Sequence, residues 1–277
     1  MQFGVSTHLF HDQRLSRTHL AHIAAHGFEA VEVFATRSHF DYHDAAAIAQ
    51  LGEWLKETGL ALHGIHAPIV ESMAAGDQWG AAISIGVSDN AKRQAAVREM
   101  DAALNIARQI PAGVFVVHLG TPTVQGGENS RTAAFRSVEE ICRLAEPIGV
   151  RVSLEVIPNA ISDAASLVTM IERDLEGLRA GICLDFGHAF LMGDVPDTIE
   201  TVAEHLTTTH VHDNHGKKDD HLVPFAGRIN WDVALMTMQK VGYDGTYLME
   251  LARTGDPEEI LTKAQAARGR FEKLLAY

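Results

Sequence analysis

Hydrophobic positions along this chain follow two alternating rhythms. Short runs rich in β-branched and apolar residues read as buried strands: FGVST, AVEVF, ALHGIHA, GVFVVHL, VRVSLEVI, AGICLDF, TTTHVHD and TYLMEL. Each is followed by a longer stretch with apolar residues three and four apart, the period of a helix that buries one stripe. Between Asn129 and Gly149, Phe135, Val138, Ile141, Cys142, Ala145 and Ile148 share such a stripe, with Asn129 or Ser130 placed to cap the first turn. Ser88 and Asp89 stand in the same way before a helix expected to run through Ala95 to Ile106. Pro196 sits where a first helical turn accepts proline, and Gly27, Gly59, Gly149 and Gly242 close successive units.

Strand-helix alternation with right-handed crossovers makes a parallel sheet, and eight repeats close it into a (β/α)8 TIM barrel. The expectation is one α/β domain over residues 1–277. The alternative is an open doubly wound sheet. Against it, no glycine-rich phosphate-binding turn follows the first strand, and no shift in composition marks a second domain. One connection is long: VESMAAGDQWGAAISIGVS, residues 70–88, has little periodicity. Connections of that length in a compact domain tend to be lids or binding segments, and Trp79 there either closes over a ligand or packs the loop against the barrel rim.

Composition narrows the class. Hydrophobic residues make up 46% and charged residues 21% of the chain, the balance of a globular protein with a large core. A formal net charge of −13 argues against a broad basic surface for nucleic acid. Two cysteines, Cys142 and Cys183, are too few for a disulfide framework. The opening MQFGVSTHLFHDQRLSR lacks a basic leader with an apolar run, and no stretch of about eighteen apolar residues spans a membrane. The expected compartment is the cytoplasm.

Sixteen histidines are many for this length, and their places matter more than their number. In a barrel the active site forms at the C-terminal strand ends. Those ends carry His8, Glu32, His66, His118, Glu155, Asp185, His210 with His212, and Glu250. Side chains two apart share a face of a strand, so Gly181, Cys183 and Asp185 line up, as do Val114, Val116 and His118, and Thr246, Leu248 and Glu250. In CLDFGHAF the strand stops being core at Asp185, and the turn through Gly187 swings His188 back toward the same mouth. The strand ends offer almost no Lys or Arg, so converging acids would repel one another unless a cation sat among them. Imidazole and carboxylate together suit a divalent metal. After the seventh strand, HVHDNHGKKDDHLVPFAGRINW adds Asp213, His215, Asp219 and His221, with Asp219 and His221 spaced to grip one ion. Lys217, Lys218 and Asp220 read as a solvated loop tip; His19, His22 and His26 as surface residues of the first helix; and His63, of opposite parity to His66, as facing the helices.

These residues resemble the xylose-isomerase-like TIM-barrel superfamily, which holds sugar and sugar-phosphate isomerases and epimerases and the endonuclease IV type of AP endonuclease. The resemblance spans essentially the whole chain and is carried by HGFEAVEVF, GIHAP, SLEV, CLDFGHAF, HVHDN with DDH and GRINW, and YDGTYLMEL. For the epimerase branch it implies one divalent ion (Mn, Zn, Co or Mg) held by Glu155, Asp185, His210 and Glu250. His210 is preferred over His212 because it opens an H-x-x-D pattern ending at Asp213. It also implies that Glu155 and Glu250 remove and return a carbon-bound proton on opposite faces of the sugar, through a metal-stabilised enediolate. His188 matches a substrate-binding histidine, and His8 and His212 are further candidates for that role. Arg228 either holds a phosphate or carboxylate of a small substrate or is a surface loop arginine. The endonuclease pattern is wider and implies three zinc ions: one on His66, His118 and Glu155, one on Glu155, Asp185, His210 and Glu250, one on His188, Asp219 and His221. Short loops poor in arginine and aromatic residues, and the GRINW ending, favour the sugar branch. The expected function is therefore a metal-dependent isomerase or epimerase of a sugar or sugar phosphate, with one ion and up to three. The alternatives are a three-zinc phosphodiesterase and, last, a non-catalytic carbohydrate-binding protein. The sugar and any homo-oligomeric state stay open.

Overall fold

Eight strands, each bounded by the turn signals that flank it in the sequence, close into one barrel in the computed structural model, which describes residues 1–74, 78–121 and 129–276. They are β1 (Gln2–Ser6), β2 (Ala30–Phe34), β3 (Ala61–His66), β4 (Val114–Val117), β5 (Arg151–Glu155), β6 (Ala180–Asp185), β7 (Leu206–Val211) and β8 (Thr246–Met249). Every strand pairs in parallel with its sequence neighbours, and β8 closes on β1 from Gln2↔Thr246 to Val5↔Met249. The expected TIM barrel is the fold.

Helical segments fill the connections, and a final helix, Pro257–Leu274, follows β8. The stripe foreseen between Asn129 and Gly149 forms a helix at Arg131–Ala145, capped by Ser130, whose Oγ accepts the Ala133 N–H at 3.3 Å. Val138, Ile141, Cys142 and Ala145 are buried on it. The helix expected through Ala95 to Ile106 begins at Asn90, capped as foreseen by Asp89, whose carboxylate accepts the Lys92 N–H. It ends at Ala103, and a short helix Asn105–Gln109 continues it.

Alternation along the strands divides two environments. Val31, Val33, Ile65, Phe115, Leu154 and Leu184 join the large apolar cluster between sheet and helices. Glu32, Ser153, Glu155, Cys183, Asp185, Thr208 and His210 are also buried but lie outside that cluster, on the barrel side. His63 departs from the expected side. Pairing runs Val31↔Leu62 and then Glu32↔Gly64, so His63 is an extra residue in β3 and the bulge resets its parity. Its Nε2 lies 2.8 Å from Thr208 Oγ1 on β7, across the barrel. His22 and His26 are half-buried, and both approach Glu258 on the final helix, at 2.6 and 3.6 Å, tying the first and last helices together.

The long connection after β3 pairs with itself. Val70 bridges Ala82, and Met73–Ala74 pairs antiparallel with Gln78–Trp79, so the segment is a hairpin beside the barrel mouth. Its residues 75–77 lie outside the described residues. Among the described residues no helix is long and apolar enough to cross a membrane.

The stripe of the Arg131–Ala145 helix makes a direct stability prediction. Replacing the fully buried Ile141 with Ala is expected to cost about 2–5 kcal/mol, and replacing the exposed Arg136 on the same helix less than about 0.5 kcal/mol. Chemical denaturation of the two variants checks the difference.

Candidate metal and active site

The carboxylates and imidazoles foreseen at the strand ends meet at the C-terminal mouth. Glu155 and Asp185 end β5 and β6, His210 lies near the end of β7, and Glu250 directly follows β8. Ligand atoms of these four residues all lie within 4.8 Å of one another. His66, His118 and Glu155 form a second group and His188, His212, Asp219 and His221 a third, by the same measure. Glu155 belongs to the first two: its Oε2 lies 3.0 Å from His118 Nε2, 3.3 Å from His66 Nε2 and 3.4 Å from His210 Nδ1.

The CLDFGHAF stretch shows how local structure builds this geometry. Asp185 caps the helix Phe186–Met192, its Oδ1 accepting the His188 N–H at 2.7 Å. One turn of helix therefore holds His188 over the carboxylate that starts it. The other oxygen, Oδ2, faces the cluster, 3.0 Å from His212 Nε2 and 3.9 Å from His210 Nδ1. Gly187 is needed between them, because a Cβ there would fall 1.9 Å from His212 Cε1.

Hydrogen bonds to the main chain fix which nitrogen each histidine presents. His66 Nδ1 donates to Ala67 O (2.8 Å), His188 Nδ1 to Val156 O (3.1 Å) and His221 Nδ1 to Glu250 O (3.0 Å). A neutral ring that donates from Nδ1 has a bare lone pair on Nε2. Those Nε2 atoms point at carboxylate oxygens: His66 at Glu155 (3.3 Å), His188 at Asp219 (3.0 Å) and His221 at Asp219 (2.9 Å). Two acceptors at that distance need a positive charge between them, either an added proton or a metal ion. Two buried atoms of the first group, Glu155 Oε1 and His210 Nδ1, have no hydrogen-bond partner at all. The donor set, nitrogen and oxygen without a cationic side chain, fits a divalent ion.

In the metal-free chain protons take that place. Burial works against charge on His188, but Asp185 and Asp219 outweigh it and hold the ring well above its ordinary value. Burial is likewise outweighed at His221, which Asp219 pushes up to about 10. Glu155, raised by burial, is brought well below the usual carboxylate range by His118 and His210.

The pocket above these groups has a volume of about 100 Å³. His8, His66, His118, Glu155, His188, Asp219, His221 and Glu250 line its polar side, and Phe34, Ile69, Val70 and Trp79 its apolar side. His8 donates from Nδ1 to Leu251 O at 3.1 Å and stacks on His221, ring centres 5.0 Å apart. His212, foreseen as a substrate contact, stands within the third ligand group, stacked on His221 at 4.0 Å. Arg228 is exposed and lines a separate shallow depression with His215, Lys217 and Lys218, so the structure does not bring it into the pocket.

Two residues carry more than the sequence pattern conveyed. Asp213 is fully buried and accepts from the N–H groups of Asn214, Phe225 and Ile229 and from Trp231 Nε1, at 2.9 to 3.1 Å. It is the knot of the loop that presents Asp219 and His221. A Cβ on Gly227 would stand 2.2 Å from its Oδ1, which explains the glycine in GRINW. Glu32, named only as a strand end, lies behind His210, its Oε2 3.2 Å from that ring's Nε2.

The chain belongs to the xylose isomerase-like TIM barrel family, whose model matches residues 20–270. It is similar to an uncharacterised protein of Methanocaldococcus jannaschii, 27% identical over 259 residues, covering 90% of this chain and 83% of that one. Among solved structures, a D-tagatose 3-epimerase-like protein superposes with a TM-score of 0.81 at 24% identity, covering 100% of this chain and 98% of its own. A D-psicose 3-epimerase, solved in the presence of D-fructose, gives 0.79 at 18% identity with complete coverage of both chains. The IolI protein, solved with a zinc atom, gives 0.76 at 16% identity, covering 100% and 98%.

Two predictions follow from this geometry. Because burial at His210 is outweighed and its ring is held well above its ordinary value when no metal is present, uptake of a divalent ion on its Nδ1 must displace a proton. Affinity therefore falls as pH drops and rises as pH climbs. Titration calorimetry at pH 7 in buffers of different ionisation enthalpy is expected to show net proton release, and none would contradict the assignment. Asp213→Ala, which strands four donors, three of them in buried hydrogen bonds, is expected to cost about 3 kcal/mol or more in denaturant unfolding.

Proposed function

We propose that this protein is a metal-dependent isomerase or epimerase of a small sugar or sugar phosphate, acting by proton transfer at a carbon next to the carbonyl group. The observation that carries the reading is the meeting of Glu155 and Glu250 at one ligand nitrogen. Each has a carboxylate oxygen 3.4 Å from His210 Nδ1, and the two arrive from β5 and β8. Glu155, Asp185, His210 and Glu250 would hold the ion. When bound, a divalent ion supplies positive charge that stabilises negative charge growing on the substrate oxygens.

The chain's own residues account for the rest. One glutamate takes the carbon-bound proton and the other returns one on the opposite face of the sugar. His8, whose Nδ1–H is committed to Leu251 O, presents an Nε2 that accepts a hydrogen bond from a substrate hydroxyl. The wall of Phe34, Ile69, Val70 and Trp79 packs against the carbon-bound face of the sugar and keeps water away. The similarity to sugar 3-epimerases and to a zinc-containing relative supports this reading over its rival.

That rival is a three-metal phosphodiesterase. One observation favours it: all three ligand groups, including His188, His212, Asp219 and His221, are assembled. Both readings are tested together by incubating metal-reconstituted protein in D2O with a panel of ketoses and ketose phosphates, and separately with an abasic-site duplex. Deuterium entering one sugar beside its carbonyl, slowed by about a hundredfold or more in Glu155→Gln and Glu250→Gln, is the expected result. Duplex cleavage with no exchange in any sugar would replace the isomerase reading with the hydrolytic one.

A further inference from the structure

We infer that Glu32 is a positioning residue for the metal site, a buried carboxylate that fixes the His210 ring so that its Nδ1 is the ligand atom. The inference rests on the metal-binding part of the proposed function and goes beyond it, since Glu32 lies in no ligand group.

Glu32 projects into the barrel from the middle of β2 and is fully buried, as are Ser6 and His210. The Ser6 hydroxyl donates to its Oε1 at 3.0 Å, which stops the carboxylate from turning. Oε2 lies 3.2 Å from His210 Nε2. An ionised carboxylate only accepts, so Nε2 must carry the proton of that bond. A neutral imidazole protonated on Nε2 has its lone pair on Nδ1. That nitrogen is buried, has no hydrogen-bond partner, and sits 3.4 Å from both Glu155 Oε2 and Glu250 Oε2.

The comparison with the neighbouring rings sharpens the role. His66, His188 and His221 each donate Nδ1–H to a main-chain carbonyl and present Nε2. His210 is turned the other way round and presents Nδ1, and its ring proton goes to Glu32. A side chain does for His210 what the backbone does for the other three. A carboxylate behind a ligating histidine also makes the ring a stronger donor to the ion.

The test uses zinc alone and needs no substrate. Zinc affinity of metal-free wild type, Glu32→Gln, Glu32→Ala and Ser6→Ala is measured by competition with a chromophoric chelator, and the melting of each metal-free chain is followed in parallel. Gln keeps the volume and one acceptor oxygen but loses the charge, whereas Ala loses all three. Affinity is expected to fall about tenfold in Glu32→Gln and toward a hundredfold in Glu32→Ala, with the Gln variant still folding as a barrel. Nitrogen NMR of histidine-labelled, zinc-loaded wild type is expected to show His210 protonated on Nε2. Zinc binding by both Glu32 variants as tight as wild type, or a His210 proton on Nδ1, would overturn the inference. A wild-type chain that binds no zinc would instead overturn the metal site of the proposed function, so the two failures are distinguishable.

Discussion

Buried carboxylates of like charge repel one another, and everything at the mouth of this barrel is arranged around that repulsion. Glu155, Asp185 and Glu250 are at most 3% exposed and converge on one imidazole nitrogen. At such a place the dielectric is low and the repulsion is strong. No Lys or Arg lines the pocket among the described residues. Compensation has to come from protons on histidines or from a metal, and the ring geometry presents bare nitrogens to carboxylate oxygens as a metal site does.

The barrel serves this arrangement by separating two tasks. One face of each strand packs against helices with Val, Ile, Leu and Phe, and that apolar layer holds the polar ends in fixed positions. Main-chain carbonyls just beyond the strands then orient His66, His188 and His221, while Asp213 ties down the loop carrying Asp219 and His221. Rigid ligands cannot relax away from one another, so the metal-free site stays charged and ready. Preorganisation of this kind is what a metal centre needs for tight binding and what proton-transfer chemistry needs for aim.

Much of this was legible in the residues. Strand-helix alternation specified the barrel because each period reports which side of an element is buried, and the parity of Cys183 and Asp185, or of Val116 and His118, located the mouth. The resemblance named the residues that assemble as ligand groups. What the sequence hid were events that parity arithmetic cannot register. A bulge at His63 turned that ring inward. Glu32 read as one more strand-end acid, because its partner lies 178 positions away and only the closed barrel brings them together. Arg228 read as an anion ligand from its loop, yet the fold of that loop turns it to another surface. His212 read as a substrate contact, and only the fold shows the room that Gly187 makes for its ring.

The most direct measurement of the central claim is anomalous diffraction at the zinc absorption edge from crystals grown with zinc. A peak bonded jointly by Glu155, Asp185, His210 and Glu250 is the result this account predicts. A map without one, in which these carboxylates are met only by protonated histidines and water, would contradict it.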